Sequence, residues 1–157
     1  MTKLLIYLFI ILSFSSCYAY KIYPKEDRHF TCAGERKKLF VINPELKKEY
    51  SILKWSGIFQ ITNDSTGADI MIRLFSLRRN FVCGNAIMGG VITLGQMPVH
   101  FPDIYDFSFE EFSDRGKIEW SYQLKIVKRY WFWDMFTFDK NLKKKAGKAL
   151  LVAYFKE

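Results

Sequence analysis

Residues 1–19 have the composition of an export signal, and this constrains the fold because only the remaining residues are left to form it. Lys3 supplies a positive start, residues 4–12 are apolar apart from the hydroxyl of Tyr7, and residues 13–19 are mostly small. The apolar run is about half of the roughly 20 residues that a transmembrane helix needs. Removing these 19 residues from the 157 leaves 138, enough for one domain with a real core but not for two.

The end of this segment fits two modes of cleavage. Phe14-Ser15-Ser16-Cys17 resembles a bacterial lipobox, in which small residues precede a cysteine that is acylated and becomes the new N-terminus, although leucine is usual where Phe14 stands. Cys17-Tyr18-Ala19 instead offers a site for the ordinary signal peptidase, with cleavage before Tyr20. We favour lipidation of Cys17. Because Tyr18 replaces the aspartate of an inner-membrane retention signal, we then expect an outer-membrane lipoprotein facing the periplasm; cleavage after Ala19 predicts a free periplasmic protein.

Either cleavage leaves one pair of cysteines in the mature chain, Cys32 and Cys83. An even pair in an oxidising compartment predicts a disulfide, which would close a loop of about 50 residues and stabilise the fold by about 4 kcal/mol. Two alternatives use the same residues. His29, Cys32, Cys83 and His100 have the chemistry of metal ligands, and Cys83 with His100 would make a cysteine hydrolase if the thiol were free. We favour the disulfide, and we expect no metal and no cofactor.

Catalytic motifs are absent from the sequence. It contains no Gly-x-Ser-x-Gly, no His-Glu-x-x-His, no Walker loop and no dinucleotide-binding glycine pattern. Glu110 and Glu111 are adjacent carboxylates, but neighbours in a strand point to opposite faces and cannot act on one glycosidic bond. We therefore expect that the protein is not an enzyme.

The charge balance predicts anionic partners. Without Lys3 the chain has 23 basic and 16 acidic residues, a net charge of about +7, and 18% of all residues are aromatic. An exported protein rarely meets nucleic acid, so we expect an anionic lipid surface or an acidic protein of the envelope as partner. The sequence does not indicate an oligomeric state.

The order of elements predicts an α+β fold, a mostly antiparallel sheet packed against two or three helices with one disulfide. We assign residues 1–19 to the signal, 20–35 to a polar lead-in and 36–157 to a single domain. The first predicted elements are a strand at 38–43, a helix at 44–56 capped by Asn43 and ended by Gly57, and a hairpin of strands 58–62 and 68–77. Residues 84–96 fit a buried helix ended by Pro98, with a glycine-interrupted strand as the alternative. A second hairpin of strands 105–112 and 118–130 and a helix at 140–155 capped by Asp139 follow.

Two surface features could carry binding. Residues 129–138 hold too many large rings for all of them to enter one core by alternation, and the last helix carries a lysine cluster. Together they would form a basic end beside an aromatic band, which is typical of a surface that faces a membrane. The predicted binding residues are Lys125, Lys128, Arg129, Trp131, Trp133, Lys143, Lys144, Lys145 and Lys148.

A resemblance supports the envelope location. Val91-Ile92-Thr93-Leu94-Gly95-Gln96-Met97-Pro98, followed by an aromatic strand, an Asp-x-Gly-Lys turn and an aromatic segment, resembles a loose group of small uncharacterised exported bacterial lipoproteins with a mid-domain Leu-Thr-Leu-Gly-x-x-Pro block. The group has no agreed activity, so the resemblance implies a location and not a reaction.

These observations predict a non-enzymatic exported envelope lipoprotein that binds a partner protein or an anionic lipid surface during envelope assembly or maintenance. The alternative is a periplasmic immunity or inhibitor protein that occludes a toxin or hydrolase. An acidic soluble partner, bound without any membrane and released by salt, would favour the alternative.

Overall fold

The computed structural model describes residues 18–24, 27, 29–31, 35–81, 98–113, 116–131, 134 and 141–156. Within these ranges the chain forms seven strands and two helices. In chain order they are β1 (Tyr18–Ile22), β2 (Lys38–Val41), α1 (Lys47–Ser56), β3 (Gln60–Thr62), β4 (Ile70–Leu74), β5 (Arg78–Phe81), β6 (Val99–Ser113), β7 (Gly116–Tyr130) and α2 (Leu142–Lys156).

The long hairpin of β6 and β7 is the centre of the sheet. The two strands pair antiparallel from Val99 opposite Tyr130 to Ser113 opposite Gly116. Every second side chain along the middle of each strand is buried, as the period of a strand requires for a sheet with one covered face. The predicted second hairpin is therefore confirmed, with strands longer than expected. The buried side chains of the hairpin are Asp103, Tyr105, Phe107, Phe109, Tyr122, Leu124 and Ile126.

The sheet is mixed, which corrects the predicted mostly antiparallel sheet. Its strand order is β1-β7-β6-β4-β2-β3, with β5 also paired to β6, and the sheet is curled. The pairs β1/β7, β4/β6, β5/β6 and β6/β7 are antiparallel, but β2 runs parallel to both β3 and β4.

The predicted hairpin of strands 58–62 and 68–77 is wrong because β2 lies between β3 and β4. The connection, residues 63–69, must therefore carry the chain back along β2. Parallel strands usually need a crossover of a dozen or more residues. Here β3 is only three residues long and β4 only five, so a connection of seven extended residues, which can span roughly 23 Å, is long enough. The Asp69 carboxylate accepts a hydrogen bond of 2.7 Å from the Lys38 backbone N–H and fixes the return.

The two helices pack on each other and on the sheet. A Cβ atom added at Gly147 of α2 would lie 2.6 Å from the backbone oxygen of Ile52 and 2.7 Å from the backbone nitrogen of Ser56, both in α1. The helices therefore approach backbone to backbone at this position. Ile52, Leu53 and Leu150 are buried beside the contact.

Asn43 does not cap α1 as predicted. Its side-chain amide donates a hydrogen bond to the Leu74 carbonyl, and its side-chain oxygen accepts one from the Leu74 N–H, each of 2.8 Å. Asn43 thus extends the pairing of β2 with β4, and α1 begins three residues later than predicted, after Leu46 and without a side-chain cap. The predicted end is confirmed, since Gly57 has the left-handed φ of +65° that glycine tolerates.

The other differences between the predicted and the observed elements concern strands β1 and β5 and the start of helix α2. Residues 20–22, assigned to the polar lead-in, belong to β1, and β5 was not predicted. Helix α2 matches the predicted 140–155 within two residues, and Asn141 accepts a hydrogen bond of 3.1 Å from the Lys144 N–H at its start. The predicted cap Asp139 and the buried helix within 84–96 lie outside the described residues.

The three cysteines also lie outside the described residues. Lipidation at Cys17 therefore stays a prediction. The disulfide predicted between Cys32 and Cys83 has no support in the described part of the structure. Among the helices that the structure describes, none combines the length and the hydrophobicity needed to cross a membrane.

We expect Gly147→Ala to destabilise the protein by about 1–3 kcal/mol, although alanine is the better helix former, because the new methyl group meets backbone atoms that cannot rotate away. Chemical denaturation monitored by circular dichroism measures the change. Lys143→Ala, at an exposed position of the same helix, is the matched control and should alter stability by less than about 0.5 kcal/mol. Equal stability of Gly147→Ala and the wild type would contradict the close helix contact.

Candidate functional site

The first residues of β1 lie at one end of the sheet beside the last residues of β7. Tyr18 pairs with Tyr130 and Tyr20 with Lys128, while Phe101 of β6 lies opposite Lys128 on the other side. Because side chains alternate, these residues project from the same face as the buried core residue Ile126. We call Tyr18, Tyr20, Phe101, Lys128 and Tyr130 the aromatic end.

The ammonium of Lys128 is held among the rings of the aromatic end. Its Nζ atom lies 4.3 Å from the centre of the Tyr18 ring and 4.7 Å from that of Tyr130. The Tyr18 ring meets Tyr20 edge to face at 5.6 Å, and the Phe101 ring meets Tyr130 edge to face at 5.3 Å. Cations over aromatic faces are attracted by the ring quadrupole. The rings therefore hold one positive charge at a fixed place.

Lys128 remains charged at physiological pH. Partial burial acts to lower the pKa of its ammonium, but the hydrogen bond to Tyr130 and the neighbouring phenol oxygens outweigh that effect, so the pKa is raised. Burial is also the main cause of the raised pKa of Tyr20. Lys128 therefore supplies the positive charge of the aromatic end.

An ion pair between Arg79 and Asp103 lies between the aromatic end and the core. Asp103 is buried, and its Oδ1 atom accepts hydrogen bonds from Arg79 Nη2 at 2.6 Å and Arg79 Nε at 3.2 Å. The hydrogen bond from Arg79 to Asp103 raises the pKa of the guanidinium. Tyr105 donates a hydrogen bond of 3.4 Å to Asp103, and burial, followed by the charge of Asp103, raises the pKa of Tyr105 to about 12.

Arg129 occupies the other face of β7 and is engaged within the protein. It makes a two-point ion pair with Asp134, donating from Nε to Oδ2 at 2.8 Å and from Nη2 to Oδ1. Asp134 is fully buried, and the guanidinium lies 5.0 Å from the centre of the Trp131 ring. The charge of Arg129 is therefore balanced internally.

The predicted lysines fall into different environments. Lys125 is exposed on the outer face of β7, opposite to Lys128. Lys143 is exposed on α2 and Lys145 is half-buried. Lys144 and Lys148 line an open groove of about 310 Å³, and Lys144 Nζ lies 5.5 Å from the centre of the Trp55 ring in α1. Trp133 lies outside the described residues.

Several groove residues were not predicted from the sequence. Trp55 lies in α1, whereas Phe30 and Arg36 precede β2 in the chain, so only tertiary packing brings the three to one place. A local motif could not have indicated this groove. The expected single basic end beside an aromatic band is thus divided into the aromatic end around Lys128 and the groove around Lys144 and Lys148.

The described residues give no support to the predicted alternative of a metal site. In the part of the chain that the structure describes, three or more histidine, cysteine, aspartate or glutamate residues are nowhere grouped as metal ligands. His29 and His100 are exposed, and the cysteines that would join them lie outside the described residues. The metal site and the cysteine hydrolase therefore stay untested hypotheses.

Comparisons with known proteins give little guidance. No known protein family matches the chain. No curated protein matches it either. Among solved structures, a minor lipoprotein from Acinetobacter baumannii is similar over 78% of this chain and 87% of that chain, with 17% identity and a TM-score of 0.29. A likeness at this level assigns neither fold nor function, and residues 91–97 of the lipoprotein-like block lie outside the described residues.

We expect stability to fall as the pH rises from about 10 to about 12. The folded protein holds the Tyr105 proton up to a pKa of about 12, whereas the unfolded chain releases it near 10, so the contribution is complete below pH 10 and is lost above it. Denaturation midpoints measured across this range should fall more steeply in the wild type than in Tyr105→Phe. Identical slopes would contradict the raised pKa.

The Arg129–Asp134 pair predicts an asymmetric response to mutation. Arg129→Leu removes the two-point cationic partner of a fully buried carboxylate and should cost about 3–5 kcal/mol of unfolding free energy. Arg129→Leu combined with Asp134→Leu should recover much of this loss, because the double variant buries no charge at this place. Urea denaturation of both variants measures the difference. A double variant less stable than Arg129→Leu would contradict the interpretation.

Proposed function

We propose that the protein is a non-enzymatic lipoprotein of the bacterial envelope, tethered through Cys17, whose aromatic end rests on an anionic lipid surface. The observation that carries the proposal is that Tyr18, the residue directly after Cys17, is already paired with β7 as part of β1. Consecutive Cα atoms are 3.8 Å apart, so an acylated Cys17 would have no spacer between its lipid and the sheet. The aromatic end would then lie at the level of the lipid head groups.

The chemistry of the aromatic end suits that position. Tyrosine rings prefer the interface between head groups and acyl chains, where an apolar ring and a polar hydroxyl are both accommodated. Tyr130 is 39% exposed, and Lys128 presents its charge between Tyr130 and Tyr18. A cation near an anionic lipid surface contributes about 1 kcal/mol of attraction.

The packing of β1 also supports cleavage before Cys17 over cleavage after Ala19. Cleavage after Ala19 would remove Tyr18, whose ring contacts Tyr20 and Lys128, and Ala19, which is only 1% exposed. It would reduce β1 to three residues at the edge of the described sheet. Cleavage before Cys17 keeps the whole strand.

The anchor is tested by the intact mass of the protein purified from membranes of a Gram-negative host. We expect an N-terminal Cys17 bearing acyl chains in the wild type and no acyl chains in Cys17→Ser, because serine lacks the thiol that is acylated. An unlipidated chain that begins at Tyr20 would contradict the proposal and would favour the periplasmic immunity or inhibitor protein.

The lipid-facing surface is tested with residues 17–157 carrying Cys17→Ser, produced without the signal so that Tyr18 is kept, and with vesicles of phosphatidylcholine with or without phosphatidylglycerol. We expect binding only to the anionic vesicles, and about five-fold weaker partitioning for Lys128→Met, because about 1 kcal/mol of attraction is lost. Co-sedimentation measures the bound fraction.

Lys117→Met is the matched control for Lys128→Met. Lys117 lies 5.1 Å from the centre of the Phe112 ring, so it too is a cation over an aromatic ring. It belongs to the opposite end of β7, roughly 37 Å from Lys128 at the rise of an extended strand. An equal loss of vesicle binding in both variants would overturn the assignment of the membrane to the aromatic end.

A further inference from the structure

The groove between α1 and α2 has a positive lining. Its cations are Arg36, Lys144 and Lys148, and its described lining contains no aspartate or glutamate. Lys144 and Lys148 are four residues apart and so project from the same side of α2. The Arg36 guanidinium lies against Gly57, about 3.8 Å from where a Cβ atom would stand. The groove therefore presents three positive charges from two sides.

These three cations differ from the basic residues that are paired with carboxylates within the fold. Arg79, Arg129 and Lys156 each make an ion pair, with Asp103, Asp134 and Asp27 respectively. In the part of the chain that the structure describes, neither Arg36 nor either groove lysine forms an ion pair. The groove therefore has charge that an anionic ligand would balance.

The apolar lining adds a second requirement on the ligand. Trp55 is 51% exposed, and the Phe30 ring contributes beside it, covered in part by Phe155 at 6.1 Å. Exposed tryptophan and arginine side chains are typical of the anchoring positions in protein interfaces. A ligand that matches the groove must carry carboxylates or similar groups next to an apolar side chain.

We propose that this groove binds a short acidic peptide segment of a partner protein, with at least one large apolar side chain beside its carboxylates. Arg36 would pair with one carboxylate through its planar fork, Lys144 and Lys148 with others, and the apolar side chain would lie on Trp55. A recess of about 310 Å³ matches a side chain or short segment better than it matches the flat surface of a bilayer. The site is separate from the aromatic end, and the inference goes beyond the lipid-facing function.

The test uses NMR spectroscopy to follow the indole N–H resonance of Trp55 while the purified protein is titrated with two synthetic peptides. The resonance is assigned by its absence in Trp55→Phe. One peptide carries glutamates and aspartates around a phenylalanine, and the other has glutamine and asparagine at the same positions. We expect a saturable shift with the acidic peptide only, weakened by salt. Arg36→Gln and Lys148→Gln should each weaken binding about three-fold, as expected for partly exposed ion pairs.

Lys143→Gln is the matched control, since Lys143 lies on the same helix but does not line the groove. It should leave the affinity unchanged, and thermal denaturation should show that all variants are folded. Equal binding of the two peptides, or equal losses in Lys143→Gln and Lys148→Gln, would overturn the proposal. A Trp55 shift with phosphatidylglycerol vesicles but not with the acidic peptide would also overturn it and would make the groove a lipid site.

Discussion

The fifteen-residue pairing of β6 with β7 is the constraint on which the other elements depend. β1 pairs with β7, β4 and β5 pair with β6, and β2 and β3 join the sheet only through β4. The same hairpin supplies the largest buried side chains, Phe107, Phe109 and Tyr122, on the face covered by the helices. A slip of one residue in its register would put the rings of one of the two strands on the solvent face and would also break the alignment of the aromatic end.

The middle of the hairpin is buried and its ends are not, and this difference produces the surfaces available for binding. Asp103 lies where the buried part of the hairpin meets the aromatic end, and it forms an ion pair with Arg79. Its carboxylate therefore adds no net charge to the aromatic end. Lys128 then stands as the positive charge of the aromatic end. The groove arises differently, because α1 and α2 are brought together at Gly147 and their outer sides carry Trp55, Lys144 and Lys148.

Much of the fold could be predicted from local patterns. The alternation in β6 and β7, the stripe of α2 and the glycine at the end of α1 are all local signals, and the structure confirms those elements. Strand neighbours could not be predicted, because the turn-rich segment before β4 indicates a change of direction but not that β2 lies between β3 and β4. Asn43 has the sequence of a helix cap but pairs with the backbone of Leu74 instead. The groove lysines Lys144 and Lys148 could be predicted as candidates from their residue type, whereas Arg36 and Trp55 are brought to the groove only by tertiary packing.

The pairing of β1 with β7 has a consequence for the order of folding. Tyr18 and Tyr130 are partners although 112 positions separate them in the chain. Contacts at such a separation form late, because the loop between them must close before any of their energy is gained. If the chain is exported through its N-terminal signal, β1 crosses the membrane first but cannot dock until β7 has followed. The N-terminal strand would thus stay unpaired until the last strand of the sheet has crossed.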